Sequence, residues 1–232
     1  MSKHNPFLTL PELSAIPGLV HGFGTRDLTM ETLGRYPLLE DFRPVVMRQV
    51  HSDIIHVIEK VPAETPVGDA LITRTPGILI CVRTADCLPL LILDRESGVS
   101  AAVHCGWKGT SKKLASKVVR FLKAKFRCSP GSLLAALGPA IGRDCYEVGE
   151  DVAGEFGYSG ETEFSFFSPL GSGKYLLDLK RANRIQLEEE GIPPGQIYSM
   201  DICPHCDPRF YSYRRDKSEC GRLLSFIGRP AP

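Results

Sequence analysis

The stretch Leu88-Pro89-Leu90-Leu91-Ile92-Leu93, followed by Asp94-Arg95-Glu96-Ser97-Gly98 and then by Val99-Ser100-Ala101-Ala102-Val103-His104, decides the fold. Each outer run is apolar at nearly every position, where a strand with one wet face would alternate. Short runs of this kind around a polar turn read as neighbouring strands covered on both faces. Pro89 has no N–H to give and belongs at the first residue of its strand or at an edge. Gly77-Ile78-Leu79-Ile80-Cys81-Val82 is a third such run, residues 70–72 a shorter one, and Leu133–Leu137 another that Gly138-Pro139 closes.

Outward from this centre, residues 1–19 carry Pro6, Pro11 and Pro17 and read as an irregular arm before a domain over 20–232. Residues 20–26 look like a strand ending in a Gly-assisted turn, and 27–43 are mixed and left unassigned. Residues 44–51 are strand-like, with 54–58 as their partner after a Ser52-Asp53 turn. A helix is predicted over 110–126, where Leu114, Val118, Phe121, Leu122 and Phe126 form one stripe. Lysines and arginines cover its other faces, and no acidic residue occurs from Ser97 to Arg143. That face reads as solvated, with an anionic partner as the alternative. Residues 151–156 read as helix and 157–173 as loop. Asp178 caps a helix to about Glu190 that Gly191 and Pro193 end. Strands are expected near 197–202, 210–213 and 222–227. With no repeat, linker or composition break, the chain reads as one α/β domain.

At 232 residues, 43% hydrophobic and 24% charged, the chain can bury a large core without covalent staples. A net charge of +1 gives no global pull toward nucleic acid or a membrane surface. Cysteines at 81, 87, 105, 128, 145, 203, 206 and 220 are even in number, but a core this size needs no disulfide framework. No sustained apolar segment follows the first residues, and 88–93 is too short to cross a bilayer. A reducing, cytoplasmic setting is expected, with the cysteines mostly buried or ligating.

Three side chains stand out as metal ligands. His51 lies in Arg48-Gln49-Val50-His51-Ser52, Cys87 in Arg83-Thr84-Ala85-Asp86-Cys87-Leu88-Pro89, and His104 in Ala102-Val103-His104-Cys105-Gly106-Trp107. Two imidazoles and a thiolate suit zinc, and three protein ligands leave a fourth position open. Their spacings of 36 and 17 residues match no short metal motif, and each alone also reads as a core residue. Along 99–104 the side chains alternate, so only one of His104 and Cys105 can join a given site. His104 is the candidate, and Cys105 reads as a small buried hydrophobe.

Asp69 and Asp86 are the nearby acids. Each can be a general base, an orienting partner for a ligand histidine, or a turn-fixing side chain. The turn 106–111, with Lys108, can hold phosphate or carboxylate at a helix N-terminus, Thr110 or Ser111 being a plain cap otherwise. Tyr211-Ser212-Tyr213-Arg214-Arg215-Asp216 sets two guanidinium groups together, able to grip an anion or, for Arg215 with Asp216, to form a surface ion pair. Cys203-Pro204-His205-Cys206 has the spacing of zinc ribbons and redox motifs but lacks a second C-x-x-C.

These residues resemble the YfiH-like family, also called the multicopper polyphenol oxidase or laccase-domain family. The matching pieces are His21-Gly22-Phe23 with Thr25-Arg26, Gln49-Val50-His51, Gly68-Asp69-Ala70-Leu71, Thr84-Ala85-Asp86-Cys87-Leu88-Pro89, and Val103-His104 with Gly106-Trp107. Leu137-Gly138-Pro139-Ala140-Ile141-Gly142, Cys145-Tyr146-Glu147-Val148-Gly149, and Tyr211 through Asp216 with Gly221-Arg222 continue in the family's order. The resemblance implies a four-layer α/β/β/α fold, shared with the catalytic domain of the cytotoxic necrotizing factor toxins. It implies a zinc at the positions of His51, Cys87 and His104. It also implies purine nucleoside chemistry: phosphorolysis of adenosine, inosine and methylthioadenosine, and deamination of adenosine. Older descriptions make members copper-dependent polyphenol oxidases, and some bacterial members resemble peptidoglycan editing factors. Two features depart from the pattern. Only 22 residues separate Arg26 from Gln49, where many relatives carry a longer insert, and Cys203-Pro204-His205-Cys206 replaces the usual Cys-Thr start.

The expectation is a zinc enzyme acting on a purine nucleoside and phosphate, without nucleic-acid or membrane partners, as a monomer or small homo-oligomer. Cys87, Asp86 and Asp69 are its catalytic candidates, and Arg48, Lys108 and Arg214 its substrate or phosphate ligands. One alternative is a copper oxidase with Cu2+ in the same ligands, against which six histidines without a His-x-His pair count. Another is a cysteine hydrolase with Cys87 as nucleophile and His104 or His51 as base. A non-enzymatic anion-binding module using the basic helix is the third.

Overall fold

A computed structural model of the chain describes residues 6–158 and 164–231. Its strands form two large sheets and one small one. The first has the order β1 (Phe7–Leu8), β2 (Val20–Gly24), β14 (Leu223–Gly228), β6 (Ile78–Thr84) and β3 (Arg43–Val45). The second has the order β13 (Ile197–Ser199), β9 (Leu133–Leu137), β7 (Leu88–Asp94), β8 (Ser100–Cys105), β5 (Ala70–Thr73) and β4 (Ile55–Val57). The small sheet joins β10 (Glu147–Gly149), β12 (Lys174–Leu177) and β11 (Phe167–Gly171).

The unbroken apolar runs follow from the layering. Leu90 and Ile92 face an outer core shared with α4 (Leu114–Phe126) and α6 (Leu179–Glu189), while Leu91 and Leu93 face the space between the sheets. In β6, Ile78, Ile80 and Val82 enter that inner layer, and Leu79 and Cys81 turn outward under Leu28, Leu39, Phe42 and Leu33 of α2 (Met30–Leu33). The order of layers is helix, sheet, sheet, helix. Each fully buried Leu or Ile contributes about 1.5–3 kcal/mol, which is what fixes the register on both faces.

Several local expectations change. Pro89 is the second residue of a central strand; the ladder to β9 starts at Leu90 opposite Leu137, so the missing N–H falls at its open end. Residues 44–51 and 54–58 do not pair. β3 runs parallel to β6 in one sheet and β4 parallel to β5 in the other, so the chain between them changes sheets. The helix expected over 110–126 is two: α3 (Trp107–Ser111) and α4, broken where Lys113 takes the left-handed φ of 59°. The basic face of α4 is not without carboxylates, since Lys117 pairs with Asp53 and Arg120 with Glu190 from distant segments.

Toward the C-terminus, β11 occupies part of the expected loop 157–173, of which 159–163 lie outside the described residues. Residues 210–213 are no strand: Phe210 is fully buried and α7 (Tyr213–Asp216) begins there. Asp178 caps α6, accepting from the Arg181 N–H at 2.8 Å. Near the start, β1 pairs with β2, and Leu13 of α1 (Pro11–Ser14) is buried in the inner layer. The remaining helix, α5 (Glu150–Glu155), packs beside the small sheet. Among the described residues no helix is long and apolar enough to cross a membrane.

Candidate metal centre

The three ligand candidates meet where the chain changes sheets. His51 lies on the link from β3 to β4, Cys87 on the short link from β6 to β7, and His104 one residue before the end of β8. Their ligand atoms all lie within 4.8 Å of one another, and the two imidazole rings meet edge to face at 4.9 Å. His104 is buried, Cys87 half-buried and His51 exposed, so the cluster opens on one side. Gly106 makes the approach possible: a Cβ there would stand 3.0 Å from both Cys87 Sγ and His51 Cδ2. Both links carry a non-glycine residue in the left-handed region, His51 at φ 57° and Asp86 at φ 81°. Such residues cost of order 1–3 kcal/mol and persist only where neighbours hold them.

Asp69 supplies much of that hold. Its carboxylate is wholly buried and takes five donors: the N–H groups of Val50 (3.3 Å), His51 (3.1 Å) and Ser52 (2.6 Å), the Ser52 hydroxyl (2.6 Å), and His104 Nδ1 (2.8 Å). The first four set the turn that presents His51. The fifth fixes the His104 tautomer and leaves Nε2 for a ligand, the arrangement that orients metal-binding histidines. Burial works against the ionised form, but these hydrogen bonds, His104's foremost, outweigh it and hold Asp69 down to about 2.

Electrostatics couple the thiol to the imidazoles. Burial disfavours a Cys87 thiolate, yet the His104 charge and hydrogen bonds from His104 and His51 bring it down to about 6. Burial also disfavours charge on His104, while the Cys87 thiolate and Asp69 push it up to about 9. Cys105, on the other face of β8, belongs to the apolar outer core, and burial raises its thiol far above the usual range. The donor set therefore fits a thiophilic cation: a thiolate, an oriented imidazole nitrogen and a second imidazole at the rim.

Beside the three ligands opens a cavity of about 780 Å³. Its cationic lining residues are Arg48, Arg83, Arg214, Lys217 and Arg222, its aromatic ones Trp107, Tyr146 and Tyr213, and its one carboxylate Asp86. Asp86 Oδ2 accepts from the Arg214 N–H at 2.6 Å and its carbonyl from the Ile141 N–H at 2.9 Å. Asp86 Oδ1 is buried and has no partner. The two acids thus differ, Asp69 saturated behind the ligands and Asp86 with an oxygen unused. Arg214 lies over the Tyr146 ring at 5.5 Å and donates to the Glu147 carbonyl. Lys108, expected as an anion ligand, is not among the cavity's lining residues; its ammonium rests over the Trp107 ring at 5.3 Å.

Sequence reasoning missed several lining residues. Arg83 had a signal, being the one exposed, charged position in the otherwise buried β6. Gln49 had none that spacing could show: its amide donates to the Arg83 carbonyl at 2.7 Å and accepts from the Arg83 N–H at 2.8 Å, tying one link to the strand before the other. Tyr146, Lys217 and Arg222 converge only through tertiary folding.

Residues 30–230 match the family model described as multi-copper polyphenol oxidoreductase laccase. Over 179 residues the chain is 41% identical to a protein of Deinococcus radiodurans named purine nucleoside phosphorylase, covering 76% of this chain and 68% of that one. Over 201 residues it is 34% identical to adenosine deaminase RL5 from an unknown prokaryotic organism, covering 80% and 74%. The crystal structure of YlmD from Geobacillus stearothermophilus matches at a TM-score of 0.87 with 28% identity, over 100% of this chain and 98% of that one. Since the family model matches residues 30–230, which hold both large sheets' central strands and the cavity's lining residues, the chain belongs to the multi-copper polyphenol oxidoreductase laccase family, the YfiH-like family.

Proposed function

We propose that the chain is a zinc-dependent purine nucleoside phosphorylase. The observation that carries the reading is one cavity that combines a thiolate–imidazole ligand set, five cationic residues, three aromatic rings and a single carboxylate with an unpartnered oxygen. His51, Cys87 Sγ and His104 Nε2 would hold the zinc. Zinc there supplies Lewis acidity toward a substrate lone pair. Arg48, Arg214 and Arg222 bind phosphate, whose two negative charges need the cations that line the cavity. Tyr146 and Tyr213 cover the purine, a role suited to flat aromatic faces. Phosphate oxygen attacks the ribose C1′, and the base leaves with the electron pair of the C–N bond. Asp86 Oδ1 takes the proton that the attacking phosphate gives up and passes it to the departing purine. Asp69 touches no reacting atom and acts by orienting His104 and His51.

The name of one relative supports adenosine deamination as a second activity of the same site. Copper oxidase chemistry fits less well. Among the described residues, the convergent donor groups are two, and only one contains histidine. A cysteine hydrolase is favoured by one observation, the Asp69–His104 hydrogen bond with the Cys87 sulfur within 4.8 Å of the His104 ring nitrogen. It predicts alkylation of Cys87 and hydrolysis in metal-free protein. The test of the main reading is phosphate-dependent release of hypoxanthine from inosine, abolished by His51→Ala, Cys87→Ala and His104→Ala. No turnover of adenosine, inosine or methylthioadenosine by zinc-loaded wild-type protein sinks it.

A further inference from the structure

A second set of donors lies outside this centre. Cys145, on the turn 143–145, and Cys203 and Cys206, 58 and 61 residues later, place their three sulfurs within 4.8 Å of one another. Cys145 Sγ and Cys206 Sγ are 3.3 Å apart, and all eight cysteines of the chain are free thiols. Zinc–sulfur bonds of about 2.3 Å at tetrahedral angles set ligand sulfurs about 3.8 Å apart, so the cluster is already near the spacing a shared ion requires.

The surroundings suit a thiolate at Cys203. The Gly142 N–H donates to Cys203 Sγ at 3.1 Å. The turn itself is closed by Cys206 N–H and Asp207 N–H to the Cys203 carbonyl, at 3.1 and 3.0 Å. A backbone N–H on that sulfur stabilises charge there, as hydrogen bonds to ligand thiolates do in metal sites. Nor are these core cysteines of the kind of Cys81 and Cys105. They line a second cavity of about 530 Å³, whose wall carries three carboxylates, Asp144, Asp178 and Asp201, together with four cationic side chains.

We propose that Cys145, Cys203 and Cys206 bind a second thiophilic divalent ion, of the zinc class, with water from the adjoining cavity completing its coordination. The ion clamps two walls of the main cavity from behind. Tyr146 follows Cys145 directly. Arg215, next to Arg214, donates to the Pro204 and His205 carbonyls at 2.6 and 3.1 Å. Ile141 lines both cavities. Fixing the 203–206 turn to Cys145 therefore fixes Tyr146 and Arg214 relative to each other.

The inference stands apart from the proposed activity, because its test counts metal and thiols rather than turnover. In a His51→Ala/Cys87→Ser/His104→Ala protein, cobalt(II) titration should show about one equivalent with a near-ultraviolet sulfur-to-metal charge-transfer band. Cys206→Ser or Cys145→Ser in that background should weaken binding tenfold or more. In the wild-type protein, peptide mapping after alkylation should find Cys145, Cys203 and Cys206 protected by zinc and modified once a chelator removes it. Absence of the charge-transfer band, equal alkylation with and without zinc, or a disulfide joining two of the three in freshly purified protein overturns the proposal.

Discussion

Asp69→Asn isolates the group on which the main centre depends. The amide keeps the shape of the carboxylate but can accept on one atom only, where the carboxylate takes five donors. If the amide nitrogen replaces Oδ2, the N–H groups of Val50 and Ser52 and the Ser52 hydroxyl face another donor. If it replaces Oδ1, the His51 N–H and His104 Nδ1 lose their acceptor, and His104 must turn its proton onto Nε2, the atom a metal needs. The first orientation leaves the Val50 and Ser52 N–H groups without an acceptor and the second leaves the His51 N–H, at about 1–3 kcal/mol each, so unfolding of the metal-free protein should become easier by roughly 1–5 kcal/mol. Loss of the orienting carboxylate should weaken zinc binding about 10- to 100-fold. Urea denaturation of metal-free protein and chelator-competition titration of zinc read the two effects separately. A variant that matches wild type in zinc affinity would refute the role assigned to Asp69, whatever its stability.

Three further outcomes follow from the same geometry. Zinc affinity should rise about tenfold per pH unit between about 6 and about 9 and flatten above. The His104 value is raised, so its proton must be displaced by the ion throughout that window, and a flat affinity profile there contradicts the coupling. Gly106→Ala should lower zinc affinity while leaving secondary structure intact, because the new Cβ stands 3.0 Å from both Cys87 Sγ and His51 Cδ2; circular dichroism beside a metal titration checks it. Asp86→Asn keeps the Arg214 hydrogen bond and tolerates the left-handed backbone, so kcat for inosine should fall about 100- to 10,000-fold at constant zinc content. Unchanged kcat with a raised KM would make Asp86 a binding residue instead.

The layering was legible because it is local: an apolar run without alternation is a strand with two covered faces, and β6, β7 and β8 are such runs. Pleat alternation likewise separated His104 from Cys105. What failed depends on partners far along the chain. The Ser52-Asp53 turn signal suggested a hairpin, but Asp69 binds the backbone of residues 50–52 and bends it into a passage between sheets. The break at Lys113 has no Gly or Pro to announce it. The basic helix looked uncompensated because its carboxylates, Asp53 and Glu190, arrive from 64 and 70 residues away.

The placement of the site has a physical logic that residue types alone do not contain. A strand residue in this sandwich is committed to one core or the other, whereas a link between sheets is free to present a side chain to solvent. That freedom has to be removed before the side chain can serve as a ligand or an acid. On the first link Asp69 removes it, and all the capacity of its two oxygens is spent doing so. On the second link the Arg214 and Ile141 N–H groups remove it through Asp86 Oδ2 and the Asp86 carbonyl, and Oδ1 is left over. The proposed reaction therefore assigns the two aspartates beside these ligands different roles, one positioning and one reacting. What separates them is the number of donors each has already accepted.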